Sequence, residues 1–486
     1  MPTEMRWYHH LAINAYWFGQ SLASGIITPL LLPYLVVLYM PPEFKNTHLA
    51  TLRVVGLAVA MLVQPVAGLL SDRSTLRWGR RRPFIALGAT LNVLCLAIIG
   101  SSLSFQGAGA DAFFQSALGI STAYAVLLVG IILIQFASNL ANGALQGLIP
   151  DLVPEHSRGL TSGVKSVMEL LPVFLVLFIG PLIDRGMLWA VIGIIMAGYV
   201  STMLVTLIFV KEQPLTTRAT RPLNEPFLRM LALTMIFVGT TRAAVWMVSA
   251  SGRLVSNESI ATLVAVVGLA GLFGMAGSIF VGVYLGAWVG IGAQARQQRP
   301  FIWWVINRLM FLAAVGSIQS FAQFYLRDVL HVPNPASSTT ILLAVVAFFL
   351  IPSALLGGSL ADRLGRRRLL TAAGLVAALG ALILLFASGM PLVIAAGCLI
   401  GLGTGTFMAT NWALGTELVP PQDAGRYLGI SNLAGAGAGI VGAGIGGPMA
   451  DLVNQAQPGL GYIVIFAIYG VLFLLSVLTL TKVRKD

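Results

Sequence analysis

Charged residues are scarce in this 486-residue sequence, in which Asp, Glu, Lys and Arg together make up only 9% of the chain. A soluble domain carries about a quarter charged residues, which it needs to cover a surface that faces water. Hydrophobic residues instead make up 57% of the chain, and the mean hydropathy is +0.88. This composition excludes a soluble enzyme, a disordered chain and a disulfide scaffold, and it indicates a polytopic membrane protein.

Residues for metal binding or catalysis are also few. Cys95 and Cys398 lie alone in different apolar segments, so neither a disulfide nor a metal site is expected. The five histidines form no HExxH motif, and the apolar segments hold no paired acids and no Ser-His-Asp set. We therefore expect no enzyme activity, no metal and no cofactor, apart from a coupling ion for which the proton is the candidate.

The net charge of +12 comes mainly from short basic runs between apolar segments. An excess of Lys and Arg over Asp and Glu in a soluble chain would suggest a nucleic-acid partner. This placement instead follows the positive-inside rule, which puts Lys and Arg on the cytoplasmic side of a membrane. The expected partners are the lipid bilayer and a small polar solute, and no nucleic acid.

Fourteen segments are long and apolar enough to cross a bilayer, which takes about 20 residues in a helix. The first has no convincing cleavage site before it and is expected to be retained. An even number of spans puts both termini on one side, which the basic runs identify as the cytoplasmic side of a cell (inner) membrane. The predicted spans are His10–Leu38, His48–Leu70, Pro83–Leu103, Thr122–Pro150, Leu160–Ile183, Met187–Val210, Phe227–Ala250, Ile260–Ile291, Phe301–Leu326, Ser338–Leu360, Leu369–Ala387, Pro391–Thr416, Tyr427–Ala450 and Leu460–Leu480.

Three motifs recur in the same order in the first six and the last six spans, which predicts two related halves. The pairs are GLLSDR at 68–73 with GRRR at 79–82 and GSLADRLGRRR at 358–368; DLVP at 151–154 and ELVP at 417–420; and PLID at 181–184 and PMAD at 448–451. We expect an all-α integral membrane protein of two pseudo-symmetric six-helix bundles. The expected domains are an N-terminal bundle over 1–210, a cytoplasmic linker with two extra helices over 211–300, and a C-terminal bundle over 301–486.

The basic motif resembles the G-x-x-x-D-R-x-G-R-R signature of the major facilitator superfamily, whose two six-helix halves carry it in the second-to-third loop. An insertion separates Asp72-Arg73 from Gly79 here, and GRRRPF follows. This version resembles the sucrose and glycoside cation-symporter branch, and the DLVP motif with a downstream Arg resembles the fourth-to-fifth loop of sugar porters. The resemblance covers nearly the whole chain except the two central helices. It implies transport of a sugar-like solute by alternating access.

The loop motifs predict an ion cluster at the basic end of each half. Glycine lets the chain reverse tightly, and Asp72 can accept bonds from helix N-terminal amides. Arg80 or Arg81 can pair with Asp151, with Arg158 completing the network. Such clusters latch helix ends in one state and must break in the other; the alternative is that the arginines only set topology. The predicted cytoplasmic gate is Asp72, Arg73, Gly79, Arg80, Arg81, Asp151, Arg158, Asp362, Arg363, Gly365, Arg366, Glu417 and Arg426.

Polar side chains inside the spans fall on helical faces. In the fourth span, Gln135, Asn139, Asn142 and Gln146 make one stripe. Amides in hydrocarbon need partners, so the stripe must face protein or a wet cavity. In the superfamily that the chain resembles, the first, fourth, seventh and tenth helices line the central cavity. The cavity candidates are Asn14, Gln20, Gln135, Asn139, Asn142, Arg308, Gln319, Gln323, Asn411 and Trp412, and helix-to-helix bonding without a ligand is the alternative for each.

Glu169 is the only acid well inside a predicted span. A carboxylate within the membrane is costly and suggests a function by default. It is therefore the candidate that loads and releases a coupling proton. The alternative is a structural ion pair with Arg53, Arg242, Arg308 or the nearby Lys165.

The two central spans are the main departure from the resembled pattern. Glycines recur every third or fourth residue from Gly268 to Gly290, which permits close helix contact in lipid. The pair resembles the insert of fourteen-helix drug exporters and peptide transporters and is expected to pack outside the bundle, as a brace or a dimer contact, in a monomer or weak homodimer. The predicted function is secondary active transport of a small polar solute. A drug or metabolite exporter of the same fold and a non-transporting membrane assembly factor are the alternatives.

Overall fold

The structure, a computed structural model, describes residues 5–212, 224–292, 298–419 and 424–483. Within this part of the chain, fourteen helices are long and apolar enough to cross a membrane, which confirms the predicted number of spans and the all-helical fold. The helices are α1 Trp7–Tyr39, α2 Pro42–Asp72, α3 Arg82–Phe105, α4 Thr122–Leu152, α5 Glu155–Val176, α6 Leu188–Phe209, α7 Phe227–Leu254, α8 Ile260–Ile291, α9 Arg299–Asp328, α10 Pro335–Leu364, α11 Arg366–Leu385, α12 Met390–Leu418, α13 Gly435–Ala456 and α14 Leu460–Lys482.

Prolines interrupt the regular helix in α1 and α5, because proline has no N–H to donate within a helix. In α1 the chain widens to a π-helical segment over Ile27–Leu31, which contains Pro29. The predicted span Leu160–Ile183 is not one continuous helix: α5 ends at Val176, and a separate short helix covers Gly180–Asp184 with Pro181 at its start.

Serine side chains cap the N-termini of two of the helices. The Ser121 side chain accepts the N–H of Tyr124 at the start of α4, and the Ser259 side chain accepts the N–H of Thr262 at the start of α8. These bonds satisfy backbone donors that have no partner inside the first helical turn.

The helices form two compact units. The first comprises Met1–Met40 and Val59–Met230, and the second comprises Pro41–Ala58 and Leu231–Asp486, so α2 contributes its first part to the second unit. In the first unit, α1 packs on α5 and α6, and α3 packs on α4. In the second unit, α12 packs on both α10 and α11, and α9 packs on α13 and α14. The inserted helices therefore group with the last six helices.

Glycines of α8 make room for side chains of its neighbours. A Cβ at Gly282 would meet the Phe237 ring of α7, and a Cβ at Gly274 would meet Ala244. On the side toward α13, a Cβ at Gly271 would meet Met449. Because small residues let helices approach closely in lipid, these glycines allow α8 to pack against α7 and α13.

Ion clusters and a candidate solute site

Arg81 lies at the centre of the first ion cluster, which joins the ends of α2 and α4 to the start of α3. Its Nε donates to Asp151 Oδ2 at 2.9 Å, its Nη1 donates to Ser71 Oγ at 2.5 Å, and it forms an ion pair with Asp72. Arg80 pairs with the other carboxylate oxygen of Asp151. The Arg81 side chain is only 7% exposed, so its charge depends on these partners.

Glu212 completes the first cluster from the end of α6. Its Oε2 accepts the backbone N–H groups of Arg81 and Arg82, each at 2.9 Å, and so caps the first turn of α3. A negative charge is favourable at a helix N-terminus. Gly79 has a φ of 103°, and a Cβ there would overlap the Glu212 side chain, so the turn requires glycine. Glu212 was not among the predicted site residues, because nothing in the sequence around it indicates a helix cap.

Arg366 forms the second ion cluster at the corresponding place in the other unit, joining the ends of α10 and α12 to the start of α11. Its guanidinium contacts Glu417 at 2.5 Å and Asp362 at 3.7 Å, and it donates to the carbonyl oxygen of Ala413 at 2.8 Å. Gly365, with a φ of 88°, makes the turn between α10 and α11. The second cluster is more exposed than the first, since the Asp362 side chain is 74% accessible.

The remaining predicted gate residues stand apart from these pairs. The structure corrects the place of Arg158: it pairs with Glu155 at 3.7 Å and donates to two backbone carbonyls at and just after the end of α4. Such carbonyls lack partners within the helix and attract a cation. Arg73 is half-buried and Arg363 is exposed, and within the described ranges neither makes an ion pair. The side chain of Arg426 lies outside the described residues.

Arg308 of α9 is a buried cation among the polar candidates of the second unit. It is 9% exposed, and its Nη1 donates to Asn411 Oδ1 of α12 at 3.5 Å. The guanidinium carbon lies 5.1 Å from the ring centre of Trp412 and 5.9 Å from that of Trp304. Trp412 is 37% exposed, whereas Trp304 is fully buried. The cation is thus held beside two indoles and one amide oxygen.

A chain of amide groups fixes the orientation of Asn411. Its Nδ2 donates to Asn307 Oδ1 at 2.9 Å, and Asn307 Nδ2 donates to the carbonyl oxygen of Ser476 at 2.7 Å. Trp304 Nε1 donates to the carbonyl oxygen of Asn411 at 2.9 Å. Because both ends of each amide are engaged, the Asn411 side-chain oxygen is directed at Arg308. Asn307 and Trp304 were not among the predicted site residues, although Trp304 lies one helical turn before Arg308.

The other two candidates on α9 differ in burial. Gln323 is buried, and Gln319 is exposed. The structure brings neither into contact with Arg308 by a hydrogen bond. Only Arg308, Asn411 and Trp412, of the candidates in this unit, are brought together.

In the first unit, Asn14 is fully buried and ties α1 to α5. Its Nδ2 donates to the carbonyl oxygens of His10 and Thr161, at 2.9 and 3.0 Å, and the His10 ring contacts the Thr161 hydroxyl at 2.7 Å. The Asn14 Oδ1 atom is buried without a hydrogen-bond partner, and so is Gln20 Oε1 on the same helix. Neither acceptor receives a hydrogen bond from the described residues.

The α4 stripe divides into bonded and unbonded amides. Asn139 is buried and donates to the backbone and side-chain oxygens of Gln135 at 2.8 and 3.3 Å. Asn142 is half-buried, and its Oδ1 is enclosed without a partner. Gln146 is exposed. The predicted stripe thus contains one hydrogen-bonded pair, Asn139 with Gln135, and one acceptor without a partner among the described residues.

Glu169 forms an ion pair with Lys165 at 3.1 Å, one turn earlier in α5. Both side chains are about one third exposed, and the Lys165 ammonium lies 4.1 Å from the ring centre of Trp17. Of the cations that the sequence leaves open as partners, the structure places Lys165 next to Glu169.

Two acids in the second unit hold the start of α2 and were not predicted as site residues. Asp451 of α13 accepts the backbone N–H of Asn46 at 3.2 Å and that of Thr47 at 2.7 Å. Asp328 of α9 forms an ion pair with Lys45. The signal for Asp451 was its place at the end of the repeated PMAD motif, to which the sequence alone assigned no partner.

Two family models match the chain. The model described as Major Facilitator Superfamily matches residues 305–486, and the one described as Sugar (and other) transporter matches residues 26–217. The chain is thus similar to the major facilitator superfamily in its last part and to sugar transporters in its first part. The two matches fall on the first six and the last six helices, and the inserted helices α7 and α8 lie between them.

The curated relatives match this chain over short stretches. Sucrose transport protein SUT1 of Oryza sativa subsp. japonica is 34% identical over 112 residues, which are 22% of this chain and 21% of that protein. Minor myo-inositol transporter IolF of Bacillus subtilis (strain 168) is 35% identical over 88 residues, 18% of this chain and 20% of that protein. The chain thus spans about a fifth of the length of these relatives.

A solved structure matches over almost the full length. The crystal structure of a D-xylose-proton symporter superposes with a TM-score of 0.61 at 16% identity, covering 99% of this chain and 97% of that one. At this identity the likeness shows the fold alone.

Proposed function

We propose that this protein is a secondary active transporter that moves a small, sugar-like polar solute across a membrane by alternating access. The match to the sugar-transporter family model supports the solute class, and so do the names of the sucrose and myo-inositol transport proteins among its relatives. The fold shared with a D-xylose-proton symporter agrees with this proposal.

The observation that carries the proposal is a set of buried polar atoms without partners inside the spans. Among the described residues these include Asn14 Oδ1, Gln20 Oε1, Asn142 Oδ1 and Arg308 Nε. An enclosed polar atom without a hydrogen bond costs about 1–3 kcal/mol. A static scaffold gains nothing from this cost, whereas a transporter needs donors and acceptors that a polar solute engages during its passage. The atoms occur on α1, α4 and α9, three of the four helices that the family resemblance assigns to the cavity.

The two ion clusters provide the second element of alternating access. The first cluster joins the ends of α2 and α4 to the start of α3 around Arg81. The second joins the corresponding ends of α10 and α12 to the start of α11 around Arg366. In this proposal the basic ends face the cytoplasm, with both termini on that side of the cell membrane. The clusters hold the helix ends in one state and rearrange in the other.

Proton coupling at Glu169 is part of the same proposal. Protonation removes the negative charge of Glu169 and with it the ion pair to Lys165. Lys165 then keeps only the contact with the Trp17 ring, which is weaker than its pair with a carboxylate. Both side chains of the pair are about one third exposed.

Uptake into proteoliposomes tests the proposal. Purified protein is reconstituted, and the uptake of labelled neutral and acidic sugars, polyols and cationic drugs is measured with and without an inward-directed pH gradient. We expect saturable uptake of a sugar-like solute, increased by the gradient. Uptake of drugs alone would favour the exporter. If no solute moves while the protein co-purifies with a fixed partner, it is an assembly factor.

A further inference from the structure

Arg308 carries a buried charge that the protein does not neutralise. No Asp or Glu among the described residues lies within 4 Å of its guanidinium, and its Nε has no hydrogen-bond partner. Buried charges in proteins are ordinarily paired, because an unpaired ion in a medium of low dielectric constant is costly. Within a membrane the same cost marks an ionisable residue as functional.

Four acids of the second unit are engaged elsewhere. Asp328 is 20 residues from Arg308 on the same helix, a distance of about 30 Å along the axis, and it pairs with Lys45. Glu417 and Asp362 pair with Arg366. Asp451 accepts the first amides of α2. The charge of Arg308 therefore has no internal counter-ion among these acids.

The groups that do surround Arg308 are neutral and held in place. Asn411 is fixed by its bond to Asn307, and the Trp304 indole is fixed by its bond to the Asn411 carbonyl oxygen. The faces of Trp304 and Trp412 attract a cation but contribute no negative charge. This arrangement orients the guanidinium and leaves its charge available, as expected of a preorganised anion site.

We propose that the transported solute carries an acidic group and that Arg308 binds it, which makes a sugar acid such as a hexuronate or aldonate the substrate class. The carboxylate accepts hydrogen bonds from the guanidinium, and the sugar ring packs on the exposed face of Trp412. This inference rests on the proposed transport function, and it specifies the group that a neutral sugar lacks.

Matched pairs of solutes test the inference on the wild-type protein. Binding is measured by isothermal titration at pH 7 for glucose against glucuronate and gluconate, and for galactose against galacturonate. We expect at least one acid to bind ten-fold or more tightly than its neutral counterpart and to be taken up by proteoliposomes. If the neutral sugars bind as tightly as the acids or more tightly, the acidic-group inference is overturned while the transport proposal stands. If neither class binds or moves, both fail.

A variant pair assigns the preference to the residue. Arg308→Gln should lower the affinity for the acid ten-fold or more and change the affinity for the neutral sugar less than three-fold, and Arg308→Lys should restore part of the loss. Arg327→Gln, an exposed arginine near the other end of α9, should leave both affinities unchanged. Should Arg308→Gln fail to fold, the wild-type comparison of acid with neutral sugar still decides. An acid preference that survives in folded Arg308→Gln would show that the anion binds elsewhere.

Discussion

The carboxylate of Asp451 accepts the backbone N–H of Thr47 at 2.7 Å, across 404 positions of sequence. Asp451 also accepts the side-chain amide of Asn46 at 2.7 Å and is 3% exposed. The first amides of a helix have no intrahelical partner, and a negative charge is favourable there. The Tyr462 hydroxyl extends the contact by donating to Asp328 at 2.6 Å. The first turn of α2 is thus tied to α9, α13 and α14.

Replacing this carboxylate should destabilise the protein. Asp451→Ala leaves two backbone N–H groups and one side-chain amide without their charged acceptor, and hydrogen bonds to charged groups contribute about 1.5–3 kcal/mol each. We expect a clear drop in the melting temperature in detergent, measured by tryptophan fluorescence. Glu155→Ala is the control, because its side chain is 90% exposed and its ion pair with Arg158 is long, at 3.7 Å. Equal melting temperatures for Asp451→Ala and the wild type would contradict the role of Asp451 as a cap.

Arg81 contacts three side chains of the first ion cluster, so replacing Arg81 should strongly reduce transport. Arg81→Lys keeps the charge, but a single ammonium cannot contact Asp151, Asp72 and Ser71 in the way that a planar guanidinium does. We expect uptake to fall at least ten-fold in Arg81→Lys. Removing one partner of a buried ion pair lowers the free energy of unfolding by roughly 3 kcal/mol. Arg81→Gln should therefore also have a lower melting temperature. Arg77→Gln, an exposed arginine of the same loop, should transport normally; an equal loss there would show that only the total loop charge matters.

If Glu169 carries the coupling proton, replacing it should abolish the effect of a pH gradient on solute uptake. Glu169→Gln cannot bind and release a proton, so pH-driven accumulation should be lost while solute exchange across the membrane persists. Both are measured in proteoliposomes with the same labelled solute. Lys165→Gln is the matched comparison, because it removes the other half of the ion pair and retains the carboxylate. Normal accumulation in Glu169→Gln would place proton coupling at another residue.

Gly415 packs against the Trp304 ring beside Arg308, so enlarging this residue should weaken solute binding. A Cβ at Gly415 would overlap the Trp304 ring, which is fully buried and cannot move aside easily. Adding a methyl group to a packed interior typically costs about 1–3 kcal/mol. Gly415→Ala should therefore displace the indole beside Arg308 and weaken solute binding, measured by titration, several-fold. Gly316→Ala, where a Cβ meets nothing within 4 Å, is the control and should bind normally. Unchanged binding in Gly415→Ala would mean that the Trp304 position does not affect the site.

The first ion cluster could be predicted from sequence where its residues belong to a repeated motif. The GRRR and DLVP motifs predicted that Arg80 or Arg81 pairs with Asp151, and both do. They did not predict the ion pair of Arg81 with Asp72, which was expected to accept helix N-terminal amides instead. Arg158 belongs to the same motif, yet its side chain turns back onto backbone carbonyls that the sequence does not reveal as free. Glu212 could not be found from sequence, since its role depends on where α6 ends relative to the first turn of α3.

The amino-acid sequence by itself determined the fourteen spans, because a bilayer imposes a length and an apolarity that composition alone satisfies. It also determined the duplicated halves, because the repeated motifs are local. Only the tertiary structure decided that Asp451 caps α2 and that Arg308 lies among indoles and amides without an acid. These relationships join residues that are about 100 to 400 positions apart, and side-chain partners at such separations depend on which helices pack together, which no local pattern encodes.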